Sequence, residues 1–419
     1  MLDIKFIREN QDLVKDAIRK KLVKLNLDEL IALDDKRREV LLLVENLRAE
    51  QKKISDGMVG ADSARREQLL TELRPLKEHI TQKEEELKKI MTDWREMMLH
   101  VPNVPDISVP EGASDADNME IKHHGEKTQF SFEPKDHVEI MQKHGMVDFE
   151  RGAKVHGFRG YYLTGDGARL CFAIWQYALD FFTAKNFKFV LPPVIVRKQN
   201  LYTTGHLPGD VEDVYFTQDG DALAGTAEVP LMGMHADEVI AETELPIRYL
   251  GFSPCFRREA GSYSKDVKGL IRVQEFFKFE QLVICEASHE TSVKVHEELN
   301  RNTEEFIESL GLPYRTVLNC AADLGLGQVK KYDIELWVPK ESTYREISSA
   351  SYFHDFQTRR ANIRYKDKDG VMRYTHSLNS TAIPTPRVLV SLIENFQEAD
   401  GRVRIPEVLR KYFGKDYIG

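Results

Sequence analysis

The sequence predicts two regions of different class. An all-α antiparallel coiled-coil hairpin comes first, followed by an α+β domain with a mixed or antiparallel sheet flanked by helices. Three observations carry this. Leu33, Val40, Leu47 and Ile54 recur every seven residues with Leu30 and Val44 on the adjoining seam, and Leu73, Ile80, Leu87 and Trp94 repeat the pattern, flanked by Leu69, Leu76 and Ile90. The only glycines over residues 27–98, Gly57 and Gly60, fall together in "SDGMVGADS" between the two runs. From about residue 120 the texture changes: strand-like pieces ("FKFVLPPVIV", "IRYLGF", "DIELWV", "ANIRYKD") alternate with helix-like ones such as "ARLCFAIWQYALDFFTAKN".

A sustained seven-residue repeat makes supercoiled helices, and a single glycine-bearing turn between two such runs folds them back on each other. Each arm spans ~45 Å at 1.5 Å per residue. Pro75 lies inside the second helix and predicts a kink or a frayed turn. The seam is narrow, so most of the hairpin (about 28–98) is exposed. Periodicity favours a dimerisation coiled coil or spacer, and it also suits a projection that grips a macromolecule through Arg48, Lys52, Lys53, Arg65 and Arg66. Residues 100–118, "HVPNVPDISVPEGASDADN", have linker composition, so the boundary is placed there: 1–110 and 111–419. In the second region the strands are joined by short turns or long loops rather than regular crossover helices, which favours an antiparallel arrangement.

Across 419 residues the net charge is −9, so no global basic field draws in nucleic acid, and any grip on phosphate must be local. Four scattered cysteines (Cys171, Cys255, Cys285, Cys320) argue against a disulfide framework or a Cys-rich zinc site and fit a reducing cytosol. "MLDIKFIREN" lacks the apolar stretch of a signal peptide, and no run approaches the ~20 apolar residues of a membrane span. The expectation is a cytoplasmic protein without a membrane partner.

The chemistry concentrates in "FRREAGSYSKDVKGLIRVQEFFKFE" (256–280). Period-2 alternation puts Arg257 and Glu259 on one face before a polar loop, and Arg272, Gln274, Phe276, Lys278 and Glu280 on one face after it. Paired, such strands carry guanidinium forks for phosphate oxygens and a ring for a base. A solvated face of cross-strand ion pairs would read the same way. "GTAEVPL" adds Thr226 and Glu228; "STYREISSAS" adds Glu346 and Ser349, a carboxylate and hydroxyl of the kind that hold Mg²⁺ on phosphates. Arg387 follows Pro386 at a helix start, where an anion is favoured. Neither GxGxxG nor GxxxxGK[ST] occurs, so a nucleotide here needs another cradle.

In their order, "FKFVLPP", "TAE", "FRREAGS…GLIRVQEFFKFE", "YREISSAS…DFQTRR" and "LNSTAIPTPRVLVSLIENFQ" resemble the successive signatures of the seryl-tRNA synthetases, class II aminoacyl-tRNA synthetases, and the hairpin resembles their N-terminal arm. The resemblance spans essentially the whole chain. It implies a homodimer with a contact around Pro193, and an arm that binds the long variable arm of tRNA(Ser). It assigns Arg257, Glu259, Arg272, Phe276, Glu346, Ser349 and Arg387 to ATP, with Arg257 and Arg387 catalytic. Thr226, Glu228, Arg257, Glu280, Asn379 and Thr381 go to L-serine, and Glu346 and Ser349 to Mg²⁺; no zinc is expected. Relatives with other roles, an amino acid:carrier-protein ligase or a non-catalytic tRNA-binding paralogue, would lack the hairpin or would have lost Arg257, Glu280 or Arg387. The chain departs from the family pattern at Gln274-Glu275 (usually His-Gln), at Ser380 and Pro386 (commonly Gly) and at Tyr352 (commonly Asn).

Overall fold

In the computed structural model, which describes residues 1–260 and 269–419, the chain divides into two units, Leu2–Pro102 and Asn103–Gly419 together with Met1. Lys265 and Lys268, expected to arm the loop after Glu259, lie outside the described residues.

The first unit has two short helices, α1 (Ile4–Glu9) and α2 (Gln11–Lys20), and two long ones, α3 (Leu27–Asp56) and α4 (Ser63–Leu99). Both long helices start on side-chain caps: Asn26 accepts from the amides of Asp28 and Glu29, and Asp62 from that of Arg65. Their seam buries Leu30, Val40 and Val44 against Leu73, Ile80 and Ile90. Buried Asp34 is held by Arg8 (3.0 Å) and Arg37 (2.8 Å). α4 runs unbroken through Pro75. Pro75 and Thr71 are both exposed, so the carbonyl that loses its donor reaches water.

The second unit is built on an eight-stranded sheet. Its strands are β1 (Met119–His124), β2 (Lys188–Val190), β3 (Ile247–Phe256), β4 (Glu275–Cys285), β5 (Tyr314–Leu318), β6 (Lys330–Val338), β7 (Thr343–Tyr352) and β8 (His376–Thr385). They lie in the order β1-β5-β6-β7-β8-β4-β3-β2, and every pair is antiparallel except β2–β3. Helices α5 (Gly165–Thr183), α6 (His289–Leu310) and α7 (Arg387–Asn395) contribute Phe182, Leu299, Phe306 and Leu392 to the main core, which takes Phe279 and Val283 from β4. Alternation along β4 therefore sends Phe276, Lys278 and Glu280 to the other face.

Two details shape that face. β7 carries an extra residue, Ile347, opposite the Ile334–Glu335 step, and β8 carries Ala382 opposite the Phe279–Glu280 step. Residues three apart normally point to opposite faces; the bulges bring Glu346 to the side of Ser349, and Thr381 to the side of Pro384. Gly251 of β3 pairs with Glu280, and a Cβ there would meet Leu231 Cδ1 at 2.8 Å and Ala227 Cβ at 2.9 Å. The missing side chain lets the short helix Glu228–Gly233 lie directly on the sheet. Gly251→Ala is expected to cost ~1–3 kcal/mol in urea unfolding, the usual range for overpacking.

Candidate active site

Three adjoining cavities open along this face. The first, ≈ 220 Å³, is lined by Thr226, Glu228, Glu280, Ser349 and Asn379. The second, ≈ 50 Å³, is lined by Glu259, Arg272, Phe276, Glu346 and Arg387. Arg257, Lys278 and Thr381 line both. The third, ≈ 450 Å³, shares Arg272, Glu346 and Arg387 with the second and adds Arg315, Lys331 and Asp333. The structure thus gathers all the residues of the nucleotide and amino-acid sets predicted from sequence onto one surface.

The first cavity is organised by a buried ion pair between Lys278 and Glu280. The Lys278 ammonium donates to Thr226 Oγ1 (2.9 Å) and Thr381 Oγ1 (3.2 Å), and Thr226 Oγ1 donates to Glu280 Oε2 (3.1 Å). Glu228 opens the helix Glu228–Gly233. Its Oε1 accepts from Gln357 Nε2 (2.6 Å), and Gln357 is oriented by Ser377, which donates to its Oε1 (2.7 Å). Burial first, and the charge of Glu280 second, push the Glu228 carboxyl up to about 7. Lys278 and Gln357 are functional candidates that sequence reasoning did not assign. Alternation did put Lys278 on the face of Glu280, whereas nothing local connects Gln357 to a glutamate 129 residues away.

In the second cavity the Arg257 guanidinium lies over the Phe276 ring, 5.4 Å from its centroid. Arg272 pairs with Glu259 at 3.0 Å. Arg387 donates to the carbonyls of Ile271 (2.9 Å) and Glu346 (2.8 Å), with the Glu346 carboxylate 3.9 Å away. The strand reading of this stretch needs correction: β3 ends at Phe256 and β4 begins at Glu275, so Arg257, Glu259, Arg272 and Gln274 lie on the connection. Glu259 adopts left-handed φ of 54°, uncommon for a residue with a side chain, and charged side chains still alternate there without strand pairing.

The four departures take definite places. Gln274 donates to the Arg258 carbonyl (2.9 Å), and its Oε1 lies 2.9 Å from His156 Nε2, tying both ends of the connection to a neighbouring helix. Tyr352 is a buried residue whose hydroxyl donates to Asp106 (2.8 Å). Ser380 is fully buried, and Pro386 immediately precedes α7, which starts at Arg387. On the hairpin, Arg48 is paired with Glu84 (2.6 Å) of the facing helix, while Lys52, Lys53, Arg65 and Arg66 are exposed.

A largely antiparallel sheet carrying carboxylates and the Phe276 ring, with arginines brought to it by the β3–β4 connection and the start of α7, in a sequence with no GxGxxG or GxxxxGK[ST] motif, fits a class II aminoacyl-tRNA synthetase core. The family model for the tRNA synthetase class II core domain (G, H, P, S and T) matches residues 215–396, and that for the seryl-tRNA synthetase N-terminal domain matches residues 1–105. The serine–tRNA ligase of Deinococcus radiodurans is 45% identical over 418 residues, covering 99% of this chain and 98% of that one. That of Thermodesulfovibrio yellowstonii is 41% identical over 426 residues, covering 100% of both. The crystal structure of seryl-tRNA synthetase from Pyrococcus horikoshii complexed with ATP aligns at a TM-score of 0.91 with 39% identity, over 100% of this chain and 99% of that one. The chain belongs to the seryl-tRNA synthetase family.

The raised carboxyl of Glu228 has a measurable consequence. Its folded value, about 7, lies above the ordinary 4.5, so its favourable contribution is complete below 4.5 and is lost as pH rises through 7. Glu228→Gln keeps an acceptor for Gln357 and cannot ionise. Between pH 5 and 8 the variant is expected to gain on the wild type by on the order of 2 kcal/mol in urea unfolding without substrate.

Proposed function

We propose that this chain joins L-serine to tRNA(Ser) through a seryl-adenylate, consuming ATP and releasing AMP and diphosphate. The observation that carries this is the wall of Arg257, Lys278 and Thr381 shared by the amino-acid cavity and the nucleotide cavity. There the serine carboxylate and the α-phosphorus meet. Arg257 holds the carboxylate and an α-phosphate oxygen, Glu280 and Glu228 face the ammonium, and Asn379 and Thr381 read the hydroxyl. Phe276 stacks on adenine and Glu259 bonds its edge. Arg272 and Arg387 exchange their protein carbonyl and carboxylate partners for phosphate oxygens, the exchange to which guanidinium forks are suited.

The carboxylate oxygen attacks the α-phosphorus in line, forming the C–O–P bond as the bond to diphosphate breaks. A terminal ribose hydroxyl of the tRNA then attacks the activated carbonyl, releasing AMP. Neither step needs a protein nucleophile; positioning and charge neutralisation supply the rate. Glu346 and Ser349 offer hard oxygen donors brought to one side by the bulge at Ile347, which fits Mg²⁺. Bound there, the ion would neutralise phosphate charge. A pocket of groups that expect a hydroxyl rejects alanine because they are left unpaired.

In the same reading the protein is a cytoplasmic homodimer, with exposed Leu191 and Ile195, which flank Pro193 in the sequence, forming part of the contact. The hairpin grips the long variable arm of the tRNA through Lys52, Lys53, Arg65 and Arg66, with Arg48 reached by displacing Glu84. No helix among the described residues is long and apolar enough to cross a membrane.

ATP–diphosphate exchange measured with each amino acid separately is expected to proceed with serine, and Arg257→Ala to lower it ~10²–10³-fold. Exchange with a different amino acid, or none from folded protein, would sink the reading. Replacing residues 35–92 with a short turn should spare exchange and cripple tRNA charging, and full charging by that truncate would refute the role of the arm.

A further inference from the structure

We propose that His206 is a further substrate-binding residue of this site, its Nε2 accepting a hydrogen bond from the amino acid's α-ammonium beside Glu228. The inference rests on the serine reading above and adds a residue that no sequence signature marked.

His206 lines the first cavity, just after the helix Lys198–Thr204. Its Nδ1 lies 2.8 Å from Thr204 Oγ1. The Thr204 hydroxyl has carbonyl acceptors for its own proton in Asn200 (3.2 Å) and Leu201 (3.4 Å), and when it uses one of them its oxygen accepts from the imidazole, whose proton is then on Nδ1. Nε2 then presents a lone pair to the cavity. It stands 4.0 Å from Glu228 Oε2, too far for a hydrogen bond between them and close enough for one donor group to serve both.

Two of the neighbouring carboxylate oxygens are already engaged. Glu228 Oε1 takes the Gln357 amide, and Glu280 Oε2 takes Lys278 and Thr226. An ammonium brings three donors, more than the remaining oxygens of Glu280 alone can satisfy. Asp210, Arg257, Lys278 and Glu280 also act on His206. Burial, with Arg257 and Lys278, holds the imidazole below its ordinary value against the opposite pull of Asp210 and Glu280, which keeps it neutral and accepting at pH 7.

The test uses the full-length protein in ATP–diphosphate exchange, with 3-hydroxypropanoate (serine without its amino group) as a competitive inhibitor. His206→Ala is expected to raise the KM for serine about tenfold or more, leave kcat within about threefold, and leave the inhibitor's Ki within about twofold. His206→Gln, which retains an acceptor, should recover most of the loss. An unchanged serine KM overturns the proposal. So does a Ki that rises in step with KM, because that marks general damage to the pocket. If the wild type shows no serine-dependent exchange, the functional reading itself falls, an outcome distinct from a serine-active wild type whose variants are indifferent.

Discussion

The site depends on one buried ion pair. Lys278 and Glu280 are 5% and 2% exposed, and taking both charges out of water costs several kcal/mol per ion. Their mutual attraction offsets this only where the remaining donors and acceptors are filled. Thr226 and Thr381 fill them, one from the loop before Glu228 and one from β8. Three separate chain segments are thereby pinned to one point on the sheet. The pair also sets the character of its neighbour. Burial, and then the charge of Glu280 only partly offset by Lys278, leave Glu228 as an acid poised near neutrality.

A single strand has to serve this pair and the core at once. Behind Lys278 and Glu280, Phe279 and Val283 pack into the main core, and Gln281 is held by the Leu299 carbonyl (3.2 Å), Thr303 (3.2 Å) and Asn302 (3.0 Å). A one-residue slip of β4 would drive the two charges into that core, so register is fixed from both sides. The neighbouring strands meet the same demand through bulges. Glu346 and Ser349, like Thr381 and Pro384, are three residues apart and serve one face only because Ile347 and Ala382 are extra. The glycine at 251 completes the arrangement by letting Glu228 approach the strand that carries Glu280.

These features differ in how plainly the sequence shows them. The hairpin was legible because seven-residue repetition over long helices is strong and local, and the turn glycines mark where it reverses. Phe276, Lys278 and Glu280 were legible because strand alternation needs only neighbouring residues. Alternation was also misleading: it continues through Arg272 and Gln274, where no strand pairs, since charge patterning does not report hydrogen bonding. The bulges were invisible, because an inserted Ile or Ala looks like any other strand residue. Gln357 and His206 escaped notice for a related reason. Each owes its place to the packing of a short helix end against a distant segment, and such a position is decided by tertiary structure. Pro75 shows the same limit from the other side: a residue that ends many helices is accommodated within a long one on an exposed face.

The order of the cavities turns this architecture into a sequence of events. The amino-acid cavity and the nucleotide cavity have Arg257, Lys278 and Thr381 in common; the nucleotide cavity and the third share Arg272, Glu346 and Arg387. Each boundary carries guanidinium groups suited to anionic oxygens, Arg257 at the first and Arg272 and Arg387 at the second. At the first boundary the fixed charge comes from Lys278, already committed to Glu280, and from Arg257, whose guanidinium lies over the Phe276 ring. In the proposed reaction Arg257 is the cation there that follows charge as it moves from carboxylate to phosphate, beside a Lys278–Glu280 pair whose charges already match. Charge that is fixed in the floor and mobile at the boundary is the division of labour that in-line transfer between two anions demands.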